Sequence, residues 1–252
     1  MIDLGDPLSS LSAHLKHEGL LAPELTGVSG QRMSVPEATT IVGLAHSGGQ
    51  SVTLAADRRA SAGNRIVKDD MTKLFLADRY SAIGIAGAAG LGIEFARLFA
   101  LELEHVEKIE GRALSHEGKI RRLGLLVRAH LQLAMQGLVA VPLLAGFDER
   151  AGTTRLHTFD ATGGVYEERD CAAIGSGSDI ARAVLESRRD LSACSQERAH
   201  ALVLEALAAA ARRDSATSGV RGEALPVLVE VDASGARFVS SERVSELVAG
   251  IA

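Results

Sequence analysis

A chain of 252 residues with a formal net charge of −5 and 46% hydrophobic residues is long enough for one or two buried cores. Its acidic balance and lack of a long basic run argue against a nucleic-acid surface, and no apolar run reaches the roughly 18 residues that a membrane-spanning helix needs. Its two cysteines, Cys171 and Cys194, form no CxxC pair and keep no zinc-ligand spacing with histidine, so no disulfide framework, metal site or cofactor is expected, and a reducing cytoplasm fits.

Residues 1–38 hold Pro7, Pro23 and Pro36, three of the five prolines, and read as a loosely structured leader. They show neither the basic nor the apolar region of a secretory signal. At Thr39 the texture changes to Thr-Thr-Ile-Val-Gly-Leu-Ala, a Ser-Gly-Gly turn, then Ser-Val-Thr-Leu-Ala-Ala-Asp, which predicts a β-hairpin. Further short strands are expected over 73–76, 81–87, 141–147, 155–159, 164–167 and 227–231. Helical periodicity marks 91–110, where Phe95, Phe99, Leu103 and Val106 share a face, and 119–136, with Leu123, Val127, Leu131 and Ala134 in a stripe. These two segments read as an antiparallel pair. Two more helices are expected over 179–188, with Ser178 as N-cap, and over 197–213, with Val203, Ala206, Leu207 and Ala210 inward. The order strands, two helices, strands, two helices, strand suggests two sheets with helices packed outside them, an α+β domain. No repeat or low-complexity tract interrupts it.

The usual catalytic signatures are missing: no GxSxG, HExxH or P-loop occurs, and Gly87-Ala-Ala-Gly90 is too short for a dinucleotide turn. The eight histidines are scattered without a placed partner. What stands out is Ala38-Thr39-Thr40-Ile41-Val42 at the leader boundary. Alone, such a run is ordinary β-branched strand. If the chain is cut before Thr39, however, one residue carries both a hydroxyl nucleophile and an α-amine of pKa about 8 that can act as its general base, with no histidine required.

Thr39-Thr40-Ile41-Val42-Gly43-Leu44, Ala56-Asp57-Arg58-Arg59-Ala60, Lys73, Ile85-Ala86-Gly87, Gly175-Ser176-Gly177 and Asp214-Ser215-Ala216-Thr217 occur in an order and at spacings that resemble the β-type subunits of 20S proteasomes. The resemblance spans about residues 39–245. The stretches around Arg97–His105 and Ala134–Gly137 look most like the actinobacterial branch.

The resemblance implies an N-terminal-nucleophile hydrolase: a four-layer αββα sandwich of two antiparallel sheets flanked by helices. It implies a propeptide, 1–38, removed by self-cleavage between Ala38 and Thr39, and a catalytic domain, 39–252. By position, Thr39 is the nucleophile, Lys73 the neighbouring cation that lowers the pKa of its amine or hydroxyl, Asp57 the partner of Lys73, and Gly87 the oxyanion N–H donor. Ser176, Asp214 and Thr217 correspond to the group around the terminal amine. Ser61, Met71, Ile85 and Ala89 correspond to the substrate cleft, which Met71 and Ile85 would make apolar. The implied activity is threonine-type endopeptidase action on unfolded polypeptides. The implied partners are proteasome α-subunits and other β-subunits in an α7β7β7α7 barrel, served by an unfolding ATPase ring.

Three departures from the family pattern bear on this. Two residues are inserted around 50–53, which the Ser47–Gly49 turn can absorb without reversing the strand faces. Ala38 stands where glycine is usual, in a turn that must strain for self-cleavage. Ser218 replaces a glycine after Thr217. A shorter HslV-type peptidase and a non-catalytic structural β-ring subunit are the alternative readings.

Overall fold

The computed structural model describes residues 39–63, 65–220 and 224–251. Residues 1–38, including Ala38, His14 and His17, lie outside them. Strand β1, Thr40–His46, is buried along its whole length, which is why Ile41–Ala45 carries no alternating polar residues. It pairs antiparallel with β2, Ser51–Ala56, from Ile41 opposite Ala56 to His46 opposite Ser51, without a slip. The turn takes up residues 47–50, with positive φ at Ser47, Gly48 and Gly49, so the expected hairpin forms and its extra length stays out of the strands.

Two short strands follow, β3 (Ala60–Ala62) and β4 (Arg65–Lys68), paired with each other. Then come β5 (Leu74–Asp78) and β6 (Ser81–Gly87). After the helices α1 (Ala89–Glu110), α2 (His116–Ala129) and α3 (Leu131–Met135), the chain makes β7 (Ala140–Asp148), β8 (Thr153–Phe159), β9 (Val165–Glu168) and β10 (Cys171–Gly175). Helices α4 (Ser178–Glu186) and α5 (Gln196–Ala211), strands β11 (Val227–Asp232) and β12 (Gly235–Phe238), and helix α6 (Ser241–Ala249) complete the fold.

One five-stranded sheet has the order β10-β1-β2-β11-β12 and the other β5-β6-β7-β8-β9, every pairing antiparallel. Side-chain alternation sorts each sheet between two cores. Ile41, Leu54 and Val229 from the first sheet meet Leu74, Leu143 and Leu156 from the second. On the outer face of the first sheet, Val42, Leu44, Ala55 and Leu228 pack against Val203, Ala206, Leu207 and Ala210 of α5 and Ala181 and Leu185 of α4. On the outer face of the second, Ile83, Ile85 and Leu144 pack against Phe95, Phe99 and Leu103 of α1 and Leu123 and Val127 of α2. The layers are therefore α, β, β, α. Each fully buried Leu, Ile or Phe in these cores contributes about 1.5–3 kcal/mol through removal from water.

Some sequence expectations need correction. The segment 119–136 is not one helix but breaks at His130, whose backbone N–H bonds to Val127 O and whose ring lies 2.9 Å from Leu126 O. Because a carbonyl only accepts, Nδ1 carries the proton, and the ring competes for the carbonyl that a continuing helix would use. Of the expected stripes, Val106, Leu131 and Ala134 are only half-buried. Ser178 is the first residue of α4, not its cap; Gly177 occupies the N-cap and makes no side-chain capping bond. Strands β3, β4, β10 and β12 and helix α6 are additional to those expected.

Candidate active site

Thr39 immediately precedes β1 and is buried, 5% exposed, at a small cleft of about 20 Å³, space for little more than one water. Lys73, Gly87, Met71, Ile85 and Ala89 share the lining, together with Ala60, Phe75 and Ile93. Position follows from register. Because Ile41 pairs with Ala56, Asp57 falls next to Thr40: Asp57 N donates to Thr40 O at 3.2 Å, and Thr40 N donates to Asp57 Oδ1 at 2.9 Å.

The Asp57 carboxylate is saturated. Oδ1 also accepts from Lys73 Nζ at 2.5 Å, while Oδ2 accepts from Arg59 N at 3.0 Å, Ser218 N at 2.9 Å and Ser218 Oγ at 3.3 Å. Burial holds the Lys73 ammonium below the ordinary lysine value even though Asp57, through charge and hydrogen bond, works in the opposite direction. A cation with a weakened hold on its proton thus sits in the cleft that Thr39 lines. The serine that replaces the expected glycine at 218 makes contacts of its own, since its hydroxyl accepts from Arg58 N at 3.1 Å as well as donating to Asp57.

On the other side of Thr39, the β1–β10 pairing sets Thr40 opposite Gly175 and carries Ser176 to the chain just ahead of β1. Ser176 N donates to Thr39 O at 2.9 Å. Ser176 Oγ and Thr217 Oγ1 each donate to Asp214 Oδ2 at 2.6 Å, and Ala216 N donates to Oδ1 at 3.0 Å. Partial burial raises the pKa of Asp214, but these donors and the Lys73 charge outweigh it and leave the carboxylate below its ordinary value. Thr217 Oγ1 is also 2.6 Å from Thr40 Oγ1.

Two glycines here are required by their backbone. Gly87 has φ +108°, and a Cβ there would lie 2.1 Å from Val139 O. Gly175 has φ +99°, and a Cβ there would lie 1.8 Å from Thr39 O.

The structure thus brings Thr39, Asp57, Lys73, Gly87, Ser176, Asp214 and Thr217 to one place, in two hydrogen-bonded groups flanking Thr39. Met71, Ile85 and Ala89 line the cleft. For β3 it is Ala60, not Ser61, that reaches the lining, and the buried Ser61 hydroxyl has no hydrogen-bond partner. Sequence reasoning did not single out Phe75, Ile93 or Thr40 as site residues. The first two differ from core apolar residues only by position, whereas Thr40 was already marked by its place beside Thr39. Among the described residues no group of three or more His, Cys, Asp and Glu could hold a metal. No helix among them is long and apolar enough to cross a membrane.

Two antiparallel sheets sandwiched between helix layers, with a threonine leading into an interior strand of one sheet, make this an α+β sandwich of the N-terminal-nucleophile hydrolase class. The chain belongs to the proteasome subunit family, whose family model, described as "Proteasome subunit", matches residues 35–221, and its relatives are β-type subunits. It is 44% identical over 250 residues to a proteasome subunit beta of Streptomyces griseus, covering 98% of this chain and 86% of the relative. It is 46% identical over 231 residues to one of Acidothermus cellulolyticus, covering 87% and 77%, and 42% identical over 270 residues to one of Nocardia farcinica, covering 98% and 91%.

Proposed function

We propose that this chain is a catalytic proteasome β-subunit, a threonine endopeptidase that removes residues 1–38 by cleaving before Thr39 and then hydrolyses unfolded polypeptides inside a barrel of α- and β-subunits fed by an unfolding ATPase ring. The observation that carries the reading is the convergence of the Lys73–Asp57 pair and the Ser176–Asp214–Thr217 group on Thr39. A structural ring member has no need of a buried lysine held below its ordinary pKa beside a threonine.

In this scheme the Thr39 hydroxyl attacks the substrate carbonyl while the Thr39 α-amine takes its proton, directly or through a water. The positive charge of Lys73 favours the neutral amine and the developing alkoxide. The Gly87 N–H donates to the oxyanion of the tetrahedral intermediate. Collapse breaks the C–N bond, and the protonated amine gives its proton to the leaving amine. Water, deprotonated by the same amine, then hydrolyses the acyl-threonine ester. Met71, Ile85 and Phe75 favour an apolar side chain in the cleft. The soluble barrel operates in the cytoplasm without metal or cofactor.

The test is co-expression with the cognate α-subunit, followed by intact mass, N-terminal sequencing and peptide hydrolysis. Wild-type chain in the assembled particle is expected to begin at Thr39 and to be active, while Thr39→Ala retains residues 1–38 and is inactive. Full activity with the leader still attached would refute the scheme.

A further inference from the structure

Thr40 touches both groups that flank Thr39. Through its backbone it is locked to Asp57, the partner of Lys73, in both directions. Through its side chain it reaches the opposite group, Oγ1 lying 2.6 Å from Thr217 Oγ1 and accepting from Gly177 N at 3.1 Å. The side chain is fully buried, so none of these bonds is exchanged with water.

The direction of the chain follows from counting protons. A hydroxyl has one hydrogen to give. Thr217 gives its hydrogen to Asp214 Oδ2, which as a carboxylate only accepts, so in the Thr40–Thr217 contact Thr40 must be the donor. The Thr40 oxygen is then left to accept from Gly177 N–H. The result is one polarised sequence: Gly177 N–H to Thr40, Thr40 to Thr217, Thr217 to Asp214, with Ser176 donating to the same carboxylate oxygen. Bonds in such a chain strengthen one another in a low-dielectric interior. The backbone is shaped to permit it: a Cβ on Gly177 would lie 2.4 Å from Thr40 Oγ1 and 3.1 Å from Thr217 Oγ1, so only a residue without a side chain lets the three groups meet.

We infer that Thr40 is a positioning residue for the Thr39 reaction: its hydroxyl orients Thr217 and, through it, the Asp214 carboxylate beside the Thr39 chain end, while its backbone holds Asp57 under Lys73. The inference rests on the proposed peptidase reading. It separates the two threonines of the Thr-Thr pair by role, the first reacting and the second bracing.

The experiment compares Thr40→Val and Thr40→Ser with wild type in the assembled particle. Valine preserves shape, burial and the backbone bonds but removes the hydroxyl; serine preserves the hydroxyl. Thr40→Val is expected to lower kcat for a short peptide amide between about 10- and 100-fold with KM changed less than about threefold, and to slow release of the leader. Thr40→Ser is expected to restore kcat to within about threefold of wild type. Without the Thr40 donor, Thr217 gives a weaker bond to Asp214, so the carboxylate holds more negative charge toward the Thr39 amine. The acidic limb of the kcat/KM profile should therefore move to higher pH in Thr40→Val and return in Thr40→Ser.

Pairing Thr40→Val with Thr217→Val supplies a second measure: if Thr40 acts through Thr217, the double variant is no slower than the slower single one. Additive losses would overturn the inference. So would a Thr40→Val particle that matches wild type in kcat and pH profile, or one whose thermal midpoint falls while its pH profile stays fixed. If instead the wild-type particle shows no hydrolysis that depends on Thr39, the peptidase reading itself fails and the role of Thr40 fails with it.

Discussion

Lys73 Nζ and Asp57 Oδ1 lie 2.5 Å apart, with side chains 4% and 0% exposed. A pair so withdrawn from solvent contributes little as a simple ion pair, because desolvation offsets most of the attraction, but it is costly to break from one side. The four other donors that surround Asp57 make the requirement stricter, since each of its two oxygens already faces backbone N–H groups.

Asp57→Asn should therefore be worse than a loss of charge alone. Whichever way the amide is turned, its NH2 points at an N–H donor, and Lys73 loses its counter-charge. We expect destabilisation of about 3–5 kcal/mol, read from chemical denaturation, and a fall of about 100-fold or more in peptide hydrolysis.

Gly87→Ala should fail for steric reasons alone. With φ at +108° and a Cβ placed 2.1 Å from Val139 O, backbone must shift on β6 or ahead of β7. A loss of about 3 kcal/mol or more is expected. Gly90→Ala, in the first turn of α1, is the control: nothing lies within 4 Å of its added Cβ, and the melting temperature should hold or rise slightly.

His116 predicts a pH dependence of stability. The residue is 3% exposed and neither ring nitrogen has a hydrogen-bond partner; Lys119 on its own helix, Arg155 and His157 on β8 and Asp148 on β7 are the charged and titratable groups that act on it. Burial first, then the charges of His157, Arg155 and Lys119, push its pKa down to about 4. Above the unfolded value of about 6.5 both states are neutral at this site and the full stability is present. As pH falls from there through about 4, the unfolded chain takes up a proton that the folded chain refuses, and up to about 3 kcal/mol is lost. His116→Met should flatten this part of a stability-versus-pH curve, as measured by denaturant titration between those limits.

The cleft predicts selectivity. Ile85 forms one wall of a space of only about 20 Å³. In the assembled particle, Ile85→Ala should raise kcat/KM for peptides with a large aromatic residue before the cut, relative to those with a small apolar one, by about tenfold or more. A panel of peptide amides differing at that residue would measure the ratio, and an unchanged ratio would place the specificity elsewhere.

Much of this molecule is legible in the chain itself. The hairpin, the buried faces of α1 and α5, and the residues flanking Thr39 all follow from local pattern or from resemblance. The misses have particular causes. Strand β10, Cys-Ala-Ala-Ile-Gly, has a single β-branched residue, Ile174, and is held by pairing with β1. The break at His130 depends on a side chain competing for one carbonyl. Helix α6 does carry a readable signal, with Ser240 capping Arg243 N and Val244 and Val248 buried four residues apart, but the segment is short.

The sequence by itself determined most of the order of strands and helices, because apolar periodicity and turn residues are local properties of the chain. Resemblance to the family, not local pattern, marked Thr39, because a threonine can supply both hydroxyl and α-amine only where it begins a chain. Only the tertiary structure decided what surrounds that threonine. Asp57, Lys73, Ser176 and the Asp214–Thr217 loop come from separate segments, and the fold, with strand register placing Asp57 and Ser176, brings their polar atoms within about 3 Å. The same holds for the role of Thr40: in sequence it is a β-branched residue beside Thr39, and the contact with Thr217, 177 positions away, gives its hydroxyl a part in the site.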